Sequence, residues 1–232
     1  MQRRKFTALI GSIAGMFGIH GRAHAAGLTE LDAASGVRTA LERGALAAVG
    51  LLGKTDGFLG NPKVRIPLPG FLNDAAKLLK ATGQQKRVDQ LVTAMNRAAE
   101  AAMPEAKSLL VSTVKAMSVD DALKVIKGGD NSVTQFFADK TREPLGVKFL
   151  PIVTQATEKV ALAAKYNSVA SKAASLGLVK KEDANIEQYV SGKALDGLYL
   201  MIGEEERKIR KDPVGTGSAI LRKVFGSLKQ GG

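Results

Sequence analysis

Asn96, Arg97 and Glu100 combine an amide, a guanidinium and a carboxylate at three- and four-residue spacing, which on a helix brings them to one face. Such a set can recognise an anion, or it can be an exposed Arg97 to Glu100 pair, the simpler reading. Asp196 is the sharper candidate. It interrupts the otherwise apolar run Ala194 to Gly203, and a carboxylate buried there without a partner is strongly destabilising. It is therefore expected to find a cation among Arg65, Arg97 and Arg210 or to face a cavity, with a structural ion pair favoured over a ligand contact. Tyr166 with its neighbour Asn167, and Tyr199, complete the candidate ligand-binding residues. An enzyme here would have to draw on Asp196, Glu100, Tyr166 and Tyr199, or on lysine.

That restriction follows from composition. The 232 residues contain no Cys, no Trp and two His, and both histidines, His20 and His24, lie in the first 25 residues. Without them, Ser-His-Asp and Cys-His nucleophiles, His or Cys zinc sites, iron–sulfur clusters and disulfides are excluded. Asp120, Asp121 and Asp130 form the one acid cluster, but the first two suit a helix N-terminus, and no calcium-loop spacing is present. No metal site or cofactor is expected.

Residues 1–25 read as a cleavable export signal. Arg3, Arg4 and Lys5 precede an apolar run from Phe6 to Ile19, and Ala23-His24-Ala25 forms a small-x-small cut site. The run is short of the roughly 20 residues that span a bilayer. Arg3-Arg4-Lys5-Phe6 also fits the core of a twin-arginine leader, although Gln2 and Thr7 depart from that pattern. A periplasmic or envelope location is expected. Losing the leader removes four basic residues, and the 30 Lys+Arg left against 22 acids give +8 in place of +12. Seven of those cations lie from Arg207 onward beside one acid, Asp212, so the basic character belongs to the C-terminus.

Residues 26–232 are expected to form a single all-α domain, a bundle of about nine helices wrapped around a central one at 185–211. Leu31, Ala34, Val37, Leu41, Ala45, Ala48 and Leu52 recur at helical spacing. Phe71 to Thr82 and Lys86 to Met103 follow, the latter with Val88, Leu91, Met95, Ala98 and Ala102 on one face, and Pro104 opens a helix to Met117. Ser118 caps a short helix stopped at Gly128, and Ser132 with Gln135 makes a capping box for the next. The pattern breaks around Pro144 and Pro151 and resumes from Ile152 to Lys172. An amphipathic helix with Ile220, Leu221, Val224, Phe225 and Leu228 ends the chain. The exception is Gly53 to Gly70, where Pro62, Pro67 and Pro69 stiffen a long strap. Irregular segments of that length are often functional; alternatively Phe58, Leu59, Ile66 and Leu68 pin it over the core.

Several separated stretches resemble an exported bacterial family, domain of unknown function 4197: Asp56-Gly57-Phe58-Leu59 with Asn61-Pro62, Arg65 to Pro69, Met95 to Glu100, Gly128-Gly129-Asp130, Lys165-Tyr166-Asn167, Lys193 to Leu198, and Glu204 to Glu206 followed by Ile209 to Lys211. The resemblance implies an exported helical protein and carries no catalytic residue.

The reading is a non-enzymatic binding or structural module. Its partner is an anionic membrane surface or small anionic ligand met through the strap, Arg97 and the basic C-terminal region. An enzyme of carboxylate, Tyr or Lys chemistry is the alternative. Nucleic acid is disfavoured by the compartment and by an aromatic content of only 5%.

Overall fold

The computed structural model describes residues 29–72, 76–77, 81–177, 180 and 183–212. The expected leader at 1–25, the expected C-terminal amphipathic helix and most of the side chains of the expected 71–82 helix lie outside the described residues. Among those described there are six α-helices and no strand: α1 (Glu30–Leu52), α2 (Gln85–Lys115), α3 (Val119–Lys127), α4 (Ser132–Thr157), α5 (Ala161–Ser175) and α6 (Ile186–Lys211). The fold is an all-α bundle. α6 packs on α1, α2, α4 and α5, and α2 touches the same set with α6 in place of itself, so the two share the centre.

Local chemistry explains the helix starts. Thr29 and Asp32 form a reciprocal capping box on α1, and Ser118 and Asp121 form another on α3. The Ser118 hydroxyl and amide hold the Asp121 carboxyl below its ordinary value. The α1 stripe is buried from Ala34 to Leu52; Leu31, in the first turn, is exposed.

Three expectations fail at prolines and caps. Pro104 lies inside α2, and Pro144 and Pro151 lie inside α4. All three face solvent, where water can serve the carbonyl four residues back whose partner a proline removes. Two pairs of expected helices therefore merge and two expected helices lie outside the described residues, which takes nine to five, and a split in the 152–172 stretch makes six. The α4 cap is Asn131, without a side-chain bond, because the Ser132 hydroxyl donates instead to Val125 O at 3.0 Å. The chain also turns at Glu158 to Val160, inside the stretch expected to be one helix. No glycine or proline marks that turn, so helical periodicity ran across it unbroken.

The strap crosses this bundle with Phe58, Val64 and Ile66 buried. Removing a side chain such as Phe58 from water is worth about 1.5–3 kcal/mol. The approach is close: a Cβ on Gly197 of α6 would stand 2.8 Å from Phe58 Cε1. Gly57 is needed for a similar reason, since a Cβ there would lie 2.4 Å from Leu52 O at the end of α1.

Candidate functional site

The Asn96, Arg97 and Glu100 face of α2 is turned toward the strap. Asn96 is fully buried; its Oδ1 accepts from Ile66 N at 2.8 Å and its Nδ2 donates to Ile66 O at 2.9 Å and Val92 O at 2.8 Å. Glu100 Oε1 accepts from Phe58 N at 3.0 Å and Leu59 N at 3.1 Å. Its Oε2 receives Arg97 Nη1 at 2.7 Å, and Arg97 Nη2 reaches Asp56 Oδ1 at 2.8 Å. The hydrogen bond to Glu100 is the main reason the guanidinium is held above its ordinary pKa. These groups satisfy strap backbone that would otherwise be buried unpaired. The expected exposed Arg97 to Glu100 pair is thus corrected: Glu100 is buried because the bend at Phe58 and Leu59 leaves those two amides without a backbone acceptor, and its carboxylate supplies one. Asp56, held in the left-handed region at φ 63°, is the partner that sequence reasoning missed.

Tyr166 and Asn167 come together at the start of α6. The Tyr166 hydroxyl donates to Asp183 O, Asn167 Oδ1 accepts from Ile186 N at 2.9 Å, and Asn167 Nδ2 donates to Glu187 Oε2 at 2.9 Å. With Asn185 Oδ1 accepting from Gln188 N at 2.9 Å, they serve first-turn amides that a helix leaves unpaired. Burial raises the Tyr166 phenol well above its ordinary value and pushes Tyr189 up to about 12. Tyr199 is raised by burial too, and its hydroxyl lies 2.8 Å from Thr141 Oγ1. Phenols held this high stay protonated at neutral pH and make poor bases.

Asp196 corrects the most pointed expectation. Its side chain is 50% exposed and not buried; the expected ion pair is made, but with Arg142 at 2.9 Å and Lys193 at 3.5 Å in place of Arg65, Arg97 or Arg210, and the three line an open cleft of about 390 Å³. The physical reason is periodicity: Lys193, Asp196 and Leu200 share the one exposed stripe of α6, so that helix is not apolar all round. Arg65 is exposed on the strap, with its backbone amide on Asn61 O at 2.9 Å. Arg210 donates through Nε to Glu206 Oε1 at 2.9 Å and through Nη2 to Val125 O and Ser132 Oγ, each at 2.9 Å. Glu206, although it belongs to the charged run Glu204 to Glu206 that sequence would place on a solvated helix face, is buried, with Oε2 unpartnered, and burial raises its pKa. Glu204 is bonded at 2.6 Å to Lys63 of the strap, which lowers its pKa. Among the described residues no three His, Cys, Asp or Glu are placed to hold a metal ion.

A wide cleft lies elsewhere, between the starts of α2 and α5. About 920 Å³ in volume, it is lined among the described residues by the cations Lys86, Arg87, Lys159 and Lys165 and by one acid, Asp89. All four cations are exposed, and Arg87 Nη1 donates to the neutral Gln84 Oε1 at 3.0 Å. Neither helix start has a side-chain cap, since Gln84 and Val160 make no such bond. These cations are scattered in sequence, and only their convergence in space distinguishes them.

No curated protein and no solved structure matches the chain significantly. Residues 27–226 do match a family model described as "Protein of unknown function (DUF4197)", a span that takes in the strap, the α2 face that grips it and the whole of the described bundle, and the chain belongs to that family.

Proposed function

We propose that this is a non-enzymatic binding module of the cell envelope, exported by the leader at 1–25, whose partner is anionic and meets it at the cleft between α2 and α5. The observation that carries the reading is the cleft itself. Four cations and one acid line a volume at the upper end of the usual range for ligand sites, and like charges gathered without an anion repel one another. The seven-to-one excess of basic over acidic residues from Arg207 onward supports an anionic partner as well. A family match that begins at residue 27, just past Ala25, supports the leader.

The Asn96, Arg97 and Glu100 face is not the contact surface in this reading, because those side chains are already bonded to the strap and Arg97 to Glu100. Glu100, Tyr166 and Tyr199, three of the four groups an enzyme would need, are engaged in separate structural bonds. The fourth, Asp196, sits in a surface ion pair.

Equilibrium binding of tripolyphosphate, at low and high salt, tests the cleft. The purified protein is expected to bind in a salt-sensitive way, and the Lys86→Ala, Arg87→Ala, Lys159→Ala, Lys165→Ala quadruple variant should lose that binding with its helical spectrum intact. A quadruple variant that binds as tightly as the parent would refute the assignment.

A further inference from the structure

An apolar groove adjoins the basic cleft. It has a volume of about 180 Å³, and its walls are Leu68 from the end of the strap, Leu72 from the single helical turn Gly70–Leu72 after it, Val88 and Leu91 from α2, and Leu162 and Val169 from α5. Leu162 and Lys165 line both cavities, so the two lie side by side with a shared wall. Tyr166 belongs to the groove as well, yet its hydroxyl is turned away to Asp183 O, which leaves the ring toward an apolar interior. The volume exceeds the roughly 150 Å³ of an apolar cavity that takes up benzene. The apolar stripe also continues outward along α5. Val169 is 59% exposed and Leu176, two turns on, is 73% exposed, and Lys165 and Lys172 keep the same seven-residue spacing beside them.

We infer that the cleft and groove together form one site for a single-chain anionic amphiphile, a fatty-acid carboxylate being the simplest. The headgroup lies among Lys86, Arg87, Lys159 and Lys165, and the first part of the acyl chain enters the groove past Leu162. The inference rests on the anion-binding reading above and adds the chain to it. Charge complementarity selects the headgroup. The apolar groove beside it selects a tail, because a bare inorganic anion would leave those walls wet. Lys165 stands at the junction, where the stem of a lysine can lie along apolar surface while its ammonium reaches the carboxylate.

Chain length is the discriminating variable. Acetate, hexanoate and laurate below its micellar concentration, inorganic phosphate, and the uncharged dodecyl maltoside are titrated into the purified protein. Each methylene that enters the groove should tighten carboxylate binding roughly threefold to fourfold until the groove is full, so laurate and hexanoate should far exceed acetate and phosphate. Val169→Gln, a neutral change at an exposed position of the groove wall where folding is safe, should flatten that dependence. Lys159→Glu with Lys165→Glu should weaken every anion.

Equal affinity for phosphate, acetate and laurate would overturn the amphiphile and leave the anion-binding reading standing. No binding by any anion would remove both. Dodecyl maltoside binding as well as laurate, or attachment only to phosphatidylglycerol vesicles with no monomer binding, would also overturn it, the latter in favour of a membrane surface.

Discussion

Asn96 grips Ile66 by both ends of its backbone: the amide oxygen takes the Ile66 N–H at 2.8 Å and the amide nitrogen gives to the Ile66 carbonyl at 2.9 Å. The pair is buried, so cutting it strands a donor and an acceptor away from water. Asn96→Ala should destabilise the fold by about 2–6 kcal/mol, since each of the two buried orphans costs about 1–3. Asn96→Asp should also be destabilising, because a carboxylate still accepts from Ile66 N but cannot donate to Ile66 O. Urea unfolding of both variants checks this, and parent-like midpoints for both would show that the strap does not depend on Asn96.

Gly197 is where α6 admits the strap. Alanine there gains about 1 kcal/mol of helix propensity but sets a Cβ at 2.8 Å from Phe58 Cε1 and 3.3 Å from Val64 Cβ, and overpacking of that kind costs about 1–3 kcal/mol. A net loss is expected. Its origin can be isolated, because Phe58→Leu should be less damaging in the Gly197→Ala background than alone. A strictly additive double mutant would place the strain elsewhere.

Glu206 introduces a pH dependence. Burial raises its folded pKa above the ordinary 4.5, against the opposing pull of Arg210, so the folded state holds the proton more tightly than the unfolded chain. That stabilisation is fully present below the ordinary value and is lost as pH rises through the raised one. Glu206→Gln removes this titration. The stability of the parent relative to the variant should therefore increase as pH falls from neutral toward 4.5, read from urea midpoints across that window. A difference that stays flat or runs the other way would contradict a raised Glu206.

Asp196 should matter little to stability. Its ion pair with Arg142 joins side chains that are 50% and 47% exposed, and such pairs contribute about 0–1 kcal/mol. Asp196→Asn is expected to shift the thermal midpoint by no more than that, with Arg142 free to remain over the Tyr199 ring at 5.1 Å. A loss several times larger would mean that the carboxylate supports the core after all.

The elements that the sequence announced most clearly were those governed by local rules. α6 is capped by Asn185 and runs from Ile186 to Lys211 as its apolar run and flanking polar residues imply, and the Ser118 capping box is where its spacing puts it. Prolines misled for a physical reason: Pro104, Pro144 and Pro151 each remove one bond, and whether that ends a helix depends on whether the freed carbonyl meets water or protein. The turn at Glu158 to Val160 carries no such marker. Asn96, Arg97 and Glu100 could be recognised as a set on one face, but the partners they hold are 30 and more residues away.

The sequence by itself determined the chemistry available to this protein and its all-helical class. Described side chains without imidazole or thiol, and an apolar period of 3.6, follow from residue order alone. Tertiary structure decided which polar groups are spent and which are left over. It buried Glu100 and Glu206 and consumed Asn96 and Asn167 on backbone. It also left Asp196 in water and gathered Lys86, Arg87, Lys159 and Lys165 at one cleft. Burial and convergence are properties of distance in space, and for groups more than 70 residues apart, such as Lys86 and Lys159, only the packing of α2 against its neighbours supplies that distance.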